Sequence, residues 1–210
     1  MTGEKSRDSG QNRVVVGISG ASGAAYGIRL LDALAELGAE SHLVISKAGE
    51  MAIGYETGLS PKAVAAKAGR VYAAGDVGAA IASGSFRTAG MVIAPCSVRS
   101  WSEIASGVTS SLLTRAADVT LKERRKLILL VRETPLHAGH LRTLGQLADM
   151  GAIVMPPVPA FYAMPETVSD IVDQTVGHVL DLLGYDWPNA RRWGEDRGKG
   201  TKRAKATKQP

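Results

Sequence analysis

The sequence predicts a single, doubly wound α/β domain with a mainly parallel sheet. Two observations indicate this fold: apolar, β-branched runs alternate with helical patterns along the chain, and each run is continuous rather than alternately polar and apolar. Continuous apolar runs are typical of parallel strands that helices cover on both faces. A chain of 210 residues is long enough for one such domain with short tails.

The order of the elements follows from these runs. Strands are predicted, in chain order, at residues 13–18, 41–45, 71–72, 91–94, 127–131 and 152–155. Apolar side chains at helical spacing predict helices at residues 24–37, 47–57, 110–122, 141–150 and 168–183. Residues 60–86 are rich in Ala and Gly and show no clear period outside the short strand.

Composition excludes several other classes of protein. Hydrophobic residues make up 45% and charged residues 21% of the chain, which is ordinary for a globular protein, and no apolar run approaches the length of a membrane span. The N-terminal residues carry charges of both signs and lack the apolar segment of a secretory signal. The single cysteine, Cys96, is interpreted as a small buried side chain; it excludes an internal disulfide framework and fits a reducing compartment. We therefore expect a cytoplasmic protein without a membrane anchor.

The net charge of +5 is concentrated at the C-terminus. Residues 191–210 contain eight Lys or Arg and two acidic residues, a net of +6, so that +5 less +6 leaves residues 1–190 at −1. This distribution predicts a basic, disordered tail, which we place at residues 194–210, after a flexible N-terminus over residues 1–12 and a folded domain over 13–193. Because a nucleic-acid-binding domain carries its positive charge on the folded body, the distribution argues against a nucleic-acid partner.

Short polar segments follow the predicted strands. In chain order they are residues 20–22, 46–47, 95–100, 132–134 and 156–164. The carboxyl ends of parallel strands share one edge of the sheet, and ligands of doubly wound folds bind there. That edge would carry hydroxyl groups, backbone N–H groups, Arg99, Arg132 and the carboxylate of Glu133. The sequence therefore predicts an anion-binding edge with one acid/base group.

The turn after the first strand contains Gly17, Gly20 and Gly23. Their G-x-x-G-x-x-G spacing matches neither the dinucleotide-binding motif nor the phosphate-binding loop that ends in Gly-Lys-Ser/Thr. Glycines let the backbone approach a ligand closely, and N–H groups at the start of the next helix attract a phosphate. Ser22 can cap that helix or donate to a phosphate, and the turn by itself leaves both interpretations open. Ser19 is interpreted as a small residue at a crowded strand end.

Other candidate groups lie further along the chain. Arg115 and Lys122 are seven residues apart on one predicted helix, so that one helix face can present two cations to an anion. Tyr162 lies in a proline-rich loop directly after a strand, where its phenol can donate to an anion. His137 and His140 are three residues apart, but further residues at ligand spacing are missing from the sequence, so we expect no metal site.

Several segments are together far more specific than any glycine motif: GISGASGAAYGIRLL, SHLVISKA, IASGSF, MVIAPCS, LLTRAADVTLKERRKLILLVRETPLHAGHL and GAIVMPPVPAFYAMPETVSDIVDQTVGHVLDLLG. They resemble the flavin prenyltransferases of the UbiX family, which include B subunits of bacterial phenolic-acid decarboxylase systems. The resemblance covers residues 13–193 and implies a flavodoxin-like fold, a homododecamer and no metal. It implies that a dimethylallyl group from dimethylallyl phosphate is joined to reduced FMN. The product, prenylated FMN, would serve UbiD-type decarboxylases.

The resemblance also implies roles for individual residues. FMN would be bound by Gly20, Ala21, Ser22, Ser46, Ser97, Val98, Arg99, Ser100 and Arg132. The phosphate of the prenyl substrate would be held by Lys122, Tyr162 and His178. Beside Lys122 and Tyr162, the catalytic residues would be Glu133 as acid and base, Ser22 near the reacting centre, and Glu56 and Arg115 lining the site. These roles suit the reaction, because loss of an allylic phosphate separates charge and requires cations and hydroxyls that already face it.

The chain departs from the family pattern at two places. His178 stands where the family usually has Arg or Lys as a phosphate ligand, and Ser97-Val98-Arg99-Ser100 replaces the usual S-I-K-T. The second change keeps charge and hydroxyls, whereas the first predicts that binding of the prenyl substrate depends on pH. Two alternatives remain open from the sequence: a flavin-dependent cysteine decarboxylase of related fold, and a non-catalytic flavin carrier that serves a decarboxylase.

Overall fold

The sheet contains six strands. In the computed structural model, which describes residues 10, 12–192 and 194, they are β1 Arg13–Ile18, β2 Glu40–Ile45, β3 Arg70–Tyr72, β4 Gly90–Cys96, β5 Lys126–Val131 and β6 Ile153–Val154. All neighbouring pairs run parallel, and their spatial order is β3-β2-β1-β4-β5-β6. The chain winds outward from β1 in one direction and from β4 in the other, which confirms the doubly wound α/β prediction.

Helices connect the strands and cover the sheet. Within the described residues the α-helices are α1 Ala24–Glu36, α2 Lys47–Thr57, α3 Pro61–Ala65, α4 Val98–Ala105, α5 Leu112–Lys122, α6 Ala138–Asp149 and α7 Val168–Leu183. Two short 3-10 helices lie at Ala80–Ala82 and Phe161–Ala163. The five predicted helices correspond to α1, α2, α5, α6 and α7, and their ends differ from the predicted ones by at most three residues.

Both faces of the sheet are buried, as the continuous apolar runs indicate. Val14 and Val16 of β1 lie in a core with side chains of α1 and α7, whereas Val15 lies in a second core with side chains of α4, α5 and α6. Successive side chains of a strand point to opposite faces, so an uninterrupted apolar strand supplies both cores at once. The two cores therefore share one sheet and belong to one folded unit.

Helix α4 is the main element that the sequence does not predict. Its buried residues are Ser100, Trp101, Ile104 and Ala105, and the other four positions are polar or partly exposed. Such a short helix with two large apolar side chains gives too weak a periodic pattern to be recognised. Helix α6 starts earlier than predicted because His137 caps it, with Nδ1 accepting from the backbone N–H groups of Gly139 at 3.0 Å and His140 at 3.3 Å.

The predicted terminal segments lie outside the described residues, apart from residues 10, 12 and 194. These segments are the flexible N-terminus over residues 1–12 and the basic tail over residues 194–210. None of the helices in the described part of the chain is long and apolar enough to cross a membrane.

Candidate active site

A cavity opens where the sheet reverses its winding direction. Strands β1 and β4 are neighbours, but the strands that follow β1 in the chain and those that follow β4 lie on opposite sides of this pair. This arrangement leaves a crevice beyond the carboxyl ends of β1 and β4. The cavity has a volume of about 670 Å³, within the range of about 300–1,000 Å³ that is usual for small-molecule sites. Its lining includes Glu133 and all nine residues predicted to bind FMN: Gly20, Ala21, Ser22, Ser46, Ser97, Val98, Arg99, Ser100 and Arg132.

Three helices begin at this cavity. Ser46, Ser97 and Ser111 are the N-caps of α2, α4 and α5, and all three serines line the cavity. Each hydroxyl accepts a hydrogen bond from a backbone N–H inside its own helix, at 3.0 Å for Ser46 and 3.4 Å for the other two. The amino ends of helices carry partial positive charge, so three of them around one cavity make it attractive to an anion.

The first helix, α1, takes its cap from a distant carboxylate. Oε2 of Glu56, near the end of α2, accepts from the backbone N–H groups of Gly23 at 2.8 Å and Ala24 at 3.0 Å. Gly23 is the N-cap residue and has a φ of 109°, a left-handed conformation that favours glycine. Of the two interpretations of Ser22, the helix cap is therefore wrong. The exposed Ser22 side chain lies in the cavity lining instead.

The unusual glycine spacing has a structural explanation. A Cβ on Gly20 would collide with Ala48 in the first turn of α2, so glycine allows the turn after β1 to touch that helix. A Cβ on Gly17 would lie 3.3 Å from Leu113 of α5, which is tight but less restrictive. Together with the positive φ at Gly23, these contacts give each glycine a different reason for its place in the motif.

Ser19 joins the two central turns of the cavity. Its side chain is buried, and Oγ donates to the carbonyl of Pro95 at 2.9 Å and accepts from the backbone N–H of Ser97 at 2.8 Å. The prediction of a small residue at a crowded strand end is confirmed, and the hydroxyl has the added role of fixing the turn after β4. Cys96, beside it, is fully buried, and burial raises the pKa of its thiol, as expected for a packing residue.

Glu103 is one of several cavity residues that the sequence analysis does not predict. Its carboxylate accepts from Nε of Arg99 at 2.8 Å and from Oγ of Ser110 at 2.6 Å. Burial raises the pKa of Glu103, but the hydrogen bonds from Ser110 and Arg99 outweigh burial and hold this pKa below its usual value. The carboxylate thereby pairs with the guanidinium of Arg99, which also lines the cavity. Glu103 lies four residues after Arg99, which is the one sequence signal that could have indicated the pair.

The segment after β5 supplies a cation and a carboxylate. The backbone N–H of Arg132 donates to the carbonyl of Cys96 at 3.2 Å, which fixes the position of its backbone. The charge of Arg132 influences the pKa of the nearby Tyr26 phenol. Burial raises the pKa of Tyr26, and the positive charge of Arg132 opposes that effect. Oε1 of Glu133 accepts from the N–H of Thr134 at 3.0 Å. Both side chains are exposed to the cavity, so they can meet a ligand.

Five of the predicted site residues do not line this cavity in the described chain: Glu56, Arg115, Lys122, Tyr162 and His178. Arg115 and Lys122 both lie on α5, but Arg115 pairs with Asp118 at 2.8 Å and Lys122 pairs with Glu123 at 2.6 Å. Lys122 is eight residues beyond Thr114 of the cavity lining, a distance of about 12 Å along the helix. Lys122 therefore lies towards the opposite edge of the sheet from the cavity.

Tyr162 and His178 lie outside the cavity lining, beside and on helix α7 respectively. Tyr162 belongs to the 3-10 helix Phe161–Ala163, and its hydroxyl accepts from Nε2 of Gln174 at 3.1 Å. Gln174 and His178 are four residues apart on α7, which places them on the same helix face. Gln174 thus neighbours Tyr162 and His178, two of the three residues predicted to hold the prenyl phosphate. Their roles, like those of Lys122, Arg115 and Glu56, stay predictions.

The two histidines at helical spacing have structural contacts. His137 caps α6 and its ring stacks on that of His140, with 3.6 Å between the ring centroids. Among the described residues there is no group of three or more His, Cys, Asp or Glu side chains that could hold a metal ion.

Comparison with known proteins assigns the family. A family model described as Flavoprotein matches residues 2–180. The flavin prenyltransferase UbiX of Thauera aromatica is 53% identical over 181 residues, or 86% of this chain and 93% of that protein. A crystal structure of AnUbiX in complex with FMN and dimethylallyl pyrophosphate is 46% identical and has a TM-score of 0.85, covering 86% of this chain and 96% of that one.

A second crystal structure, that of a dodecameric FMN-dependent UbiX-like decarboxylase from Escherichia coli O157:H7, is 48% identical, has a TM-score of 0.84, and covers 86% of this chain and 98% of that one. These matches extend over almost the whole length of each relative, so they concern the complete domain and not an isolated motif. With them, the resemblance that the sequence segments indicate is confirmed. The chain belongs to the flavin prenyltransferases, a family of flavoproteins of the UbiX type.

Proposed function

We propose that the protein joins a dimethylallyl group from dimethylallyl phosphate to reduced FMN, and that the cavity at the carboxyl edge of the sheet holds the flavin. The observation that carries the proposal is the cavity itself, where all nine residues predicted to bind FMN meet Glu133. Its relatives support the same reaction, since they are flavin prenyltransferases and one was crystallised with FMN and dimethylallyl pyrophosphate.

The cavity suits a phosphorylated flavin. Three helix amino ends, together with Arg99 and Arg132, provide N–H groups and positive charge for the FMN phosphate. Hydroxyl groups of the turns after β1 and β4 are placed to bond the polar atoms of the flavin and its side chain. The dinucleotide motif is missing because a mononucleotide needs a single anion cradle and not a pyrophosphate clamp.

The proposed reaction assigns separate tasks to the charged groups. The C–O bond of the allylic phosphate breaks with its electron pair leaving on the phosphate, while a new C–N bond forms to N5 of the reduced flavin. N5 loses its proton as this bond forms. Closure of a further ring then adds a proton to an alkene carbon and removes one from a flavin carbon, and Glu133 or the departing phosphate can donate the first and accept the second. Cations and hydroxyl groups that face the phosphate before the bond breaks stabilise the developing charge without rearranging.

We further propose that the protein works as a homo-oligomer, a dodecamer, in which a neighbouring copy completes the site. The proposal is supported by the position of Lys122, about 12 Å along α5 from the nearest cavity residue of that helix, and by the dodecameric relative. The loop around Tyr162 is also rich in exposed apolar side chains: Phe161 is 74% and Met164 76% exposed. Such a patch is typical of a protein–protein contact.

The destination of the product is part of the same proposal. Prenylated FMN would pass to a UbiD-type decarboxylase, which uses it as a cofactor. We place both proteins in the cytoplasm, a reducing compartment that is compatible with the single buried thiol of Cys96.

One assay separates this function from its alternatives. The protein is incubated anaerobically with reduced FMN and dimethylallyl phosphate, and the mass and absorption spectrum of the flavin product are recorded. The transferase predicts a mass gain of one dimethylallyl unit; a flavin carrier or a cysteine decarboxylase predicts unchanged FMN, also with the pyrophosphate as substrate. Glu133→Gln should bind FMN as well as the wild type does but form product about 100-fold more slowly, since a positioned acid/base group contributes at least about that factor. Loss of flavin binding in this variant would show that its role is misassigned.

A further inference from the structure

Glu103, on α4, places a carboxylate in the wall of the cavity proposed for the flavin. Oε1 accepts from Nε of Arg99 at 2.8 Å, and Oε2 accepts from Oγ of Ser110 at 2.6 Å. The hydroxyl of Thr114 is also close and helps to lower the pKa of Glu103. All three neighbours line the cavity, as Glu103 itself does. The carboxylate therefore belongs to the cavity wall, where α4 faces the amino end of α5.

This carboxylate is an acceptor among groups that mostly donate. The described lining has backbone N–H groups at three helix ends, serine hydroxyls and the cations of Arg99 and Arg132, but one other carboxylate, that of Glu133. An ionised carboxylate can accept about four hydrogen bonds, and the protein supplies donors from three residues. The Glu103 side chain is 17% exposed. It can therefore accept a further hydrogen bond from a ligand in the cavity.

Arg99 separates this acceptor from the place where an anion can bind. Its Nε is used by Glu103, whereas Nη1 and Nη2 have no acceptor within the part of the chain that the structure describes. The Arg99 side chain is 82% exposed. Because the N–H groups of a guanidinium form a rigid planar fork, a phosphate can meet the Nη groups while Nε stays with the carboxylate. Direct contact of the phosphate with Glu103 is disfavoured, since both are negatively charged.

FMN has donors that suit such an acceptor. Its ribityl chain, which joins the phosphate to the ring, has three hydroxyl groups, and all of them are within a few bonds of the phosphate. The N–H group at N3 of the ring lies at the far end of the molecule. Because the carboxylate of Glu103 is only 2.8 Å from Nε of Arg99, a phosphate on the Nη groups of Arg99 brings the ribityl hydroxyls, and not the far edge of the ring, towards Glu103.

We propose that Glu103 binds the ribityl chain of FMN by accepting a hydrogen bond from one of its hydroxyl groups, while Arg99 holds the phosphate beside it. This inference rests on the proposed function, in which this cavity holds the flavin. It makes Glu103 a residue that determines specificity for the flavin side chain, separate from the acid/base role proposed for Glu133.

The test compares FMN with its 2′-deoxy, 3′-deoxy and 4′-deoxy analogues, each of which lacks one ribityl hydroxyl. Their Kd values are measured by flavin titration with the wild type and with Glu103→Gln. In the wild type, one analogue should bind about tenfold more weakly than FMN, since a hydrogen bond to a charged group is lost. In Glu103→Gln this ratio should fall to a third of its wild-type value or less, because the acceptor is no longer charged.

The ratio of two Kd values isolates the hydroxyl contact. Both ligands carry the phosphate, so the general effect of removing a negative charge near it cancels. The matched control is Glu50→Gln, the same change at an exposed carboxylate of α2 that does not line this cavity in the described chain. This control should keep the wild-type ratio for all three analogues. Riboflavin, which lacks the phosphate, is titrated as well, to detect an effect of Glu103 that is exerted only through Arg99.

The outcomes separate the inference from the function on which it rests. If no analogue binds the wild type at least threefold more weakly than FMN, the inference is refuted without any variant. It is also refuted if the ratio falls by less than threefold in Glu103→Gln. A change in the ratio between riboflavin and FMN alone would show that Glu103 acts on the phosphate through Arg99 and not on the ribityl chain. A wild-type protein that binds no FMN contradicts the proposed function itself.

Discussion

Replacement of Ser19 by Ala tests whether the two central turns of the cavity depend on one hydroxyl group. In the wild type Oγ of Ser19 accepts from the N–H of Ser97 at 2.8 Å and donates to the carbonyl of Pro95 at 2.9 Å. That carbonyl also accepts from the backbone N–H of Ser19 at 3.2 Å, so it keeps a partner in the variant. The N–H of Ser97 is the group that loses its acceptor.

The expected loss of stability follows from the one N–H group that is left without an acceptor. A partly buried N–H without a partner costs about 1–3 kcal/mol, and we take about 2 kcal/mol for Ser19→Ala. For a domain of this size, a loss of about 2 kcal/mol lowers the Tm by about 4–8 °C. Because Ser97 is the N-cap of α4, we also expect FMN to bind more weakly. Thermal unfolding of the FMN-free protein, followed by circular dichroism, measures the first effect, and flavin titration measures the second.

The matched control is Ser106→Ala. The Ser106 side chain is exposed and bonds to carbonyl groups of α4, the nearest being that of Ser102 at 2.8 Å. An exposed substitution of this kind changes stability by at most about 0.5 kcal/mol, or about 2 °C. If the Tm of Ser19→Ala falls no further than that of this control, the reasoning about the buried link between the turns is wrong.

Three further predictions concern individual side chains. Glu56→Ala should lower the free energy of unfolding by about 1 kcal/mol, because two N–H groups at the start of α1 lose their acceptor. Glu56→Gln should lose less, and equal losses in denaturant unfolding would contradict a hydrogen-bonded cap. At neutral pH, Glu103→Gln should destabilise the protein, because the lowered pKa of Glu103 stabilises the folded state above the unfolded-state pKa of 4.5. This stabilisation disappears as the pH falls, so well below pH 4.5 the variant should be as stable as the wild type. A loss of Tm that does not depend on pH would contradict this. His178→Ala should raise the KM for dimethylallyl phosphate, because a side chain predicted to hold the phosphate is removed, and an unchanged KM would show that His178 is not involved.

The fold and the cavity at the carboxyl edge of the sheet could be predicted because both depend on short-range patterns. A buried parallel strand is a continuous apolar run, and the residues directly after it must lie at the carboxyl edge of the sheet. This rule is sufficient to bring Ser22, Ser46, Ser97 and Arg132 together without knowledge of the contacts between them. For the same reason, Glu133 is placed correctly by its position one residue after Arg132.

Other features depend on contacts that local sequence does not contain. The cap of α1 comes from Glu56, which is 33 residues away from Gly23, so the turn alone could not decide between the two roles of Ser22. Glu103 was missed because it lies on α4, a helix whose apolar pattern is too weak to be recognised. The seven-residue spacing of Arg115 and Lys122 predicts a shared helix face, but it gives no information on which cavity, of this copy or another, that face meets.

The most direct test of the account is a structure of the protein with FMN bound. We predict that the flavin occupies the cavity at the carboxyl ends of β1 and β4, in contact with Gly20, Ala21 and Ser22, and that its phosphate meets the amino ends of the helices that begin there. Electron density for the flavin at any other place on the protein, with this cavity empty, would contradict the assignment of the site.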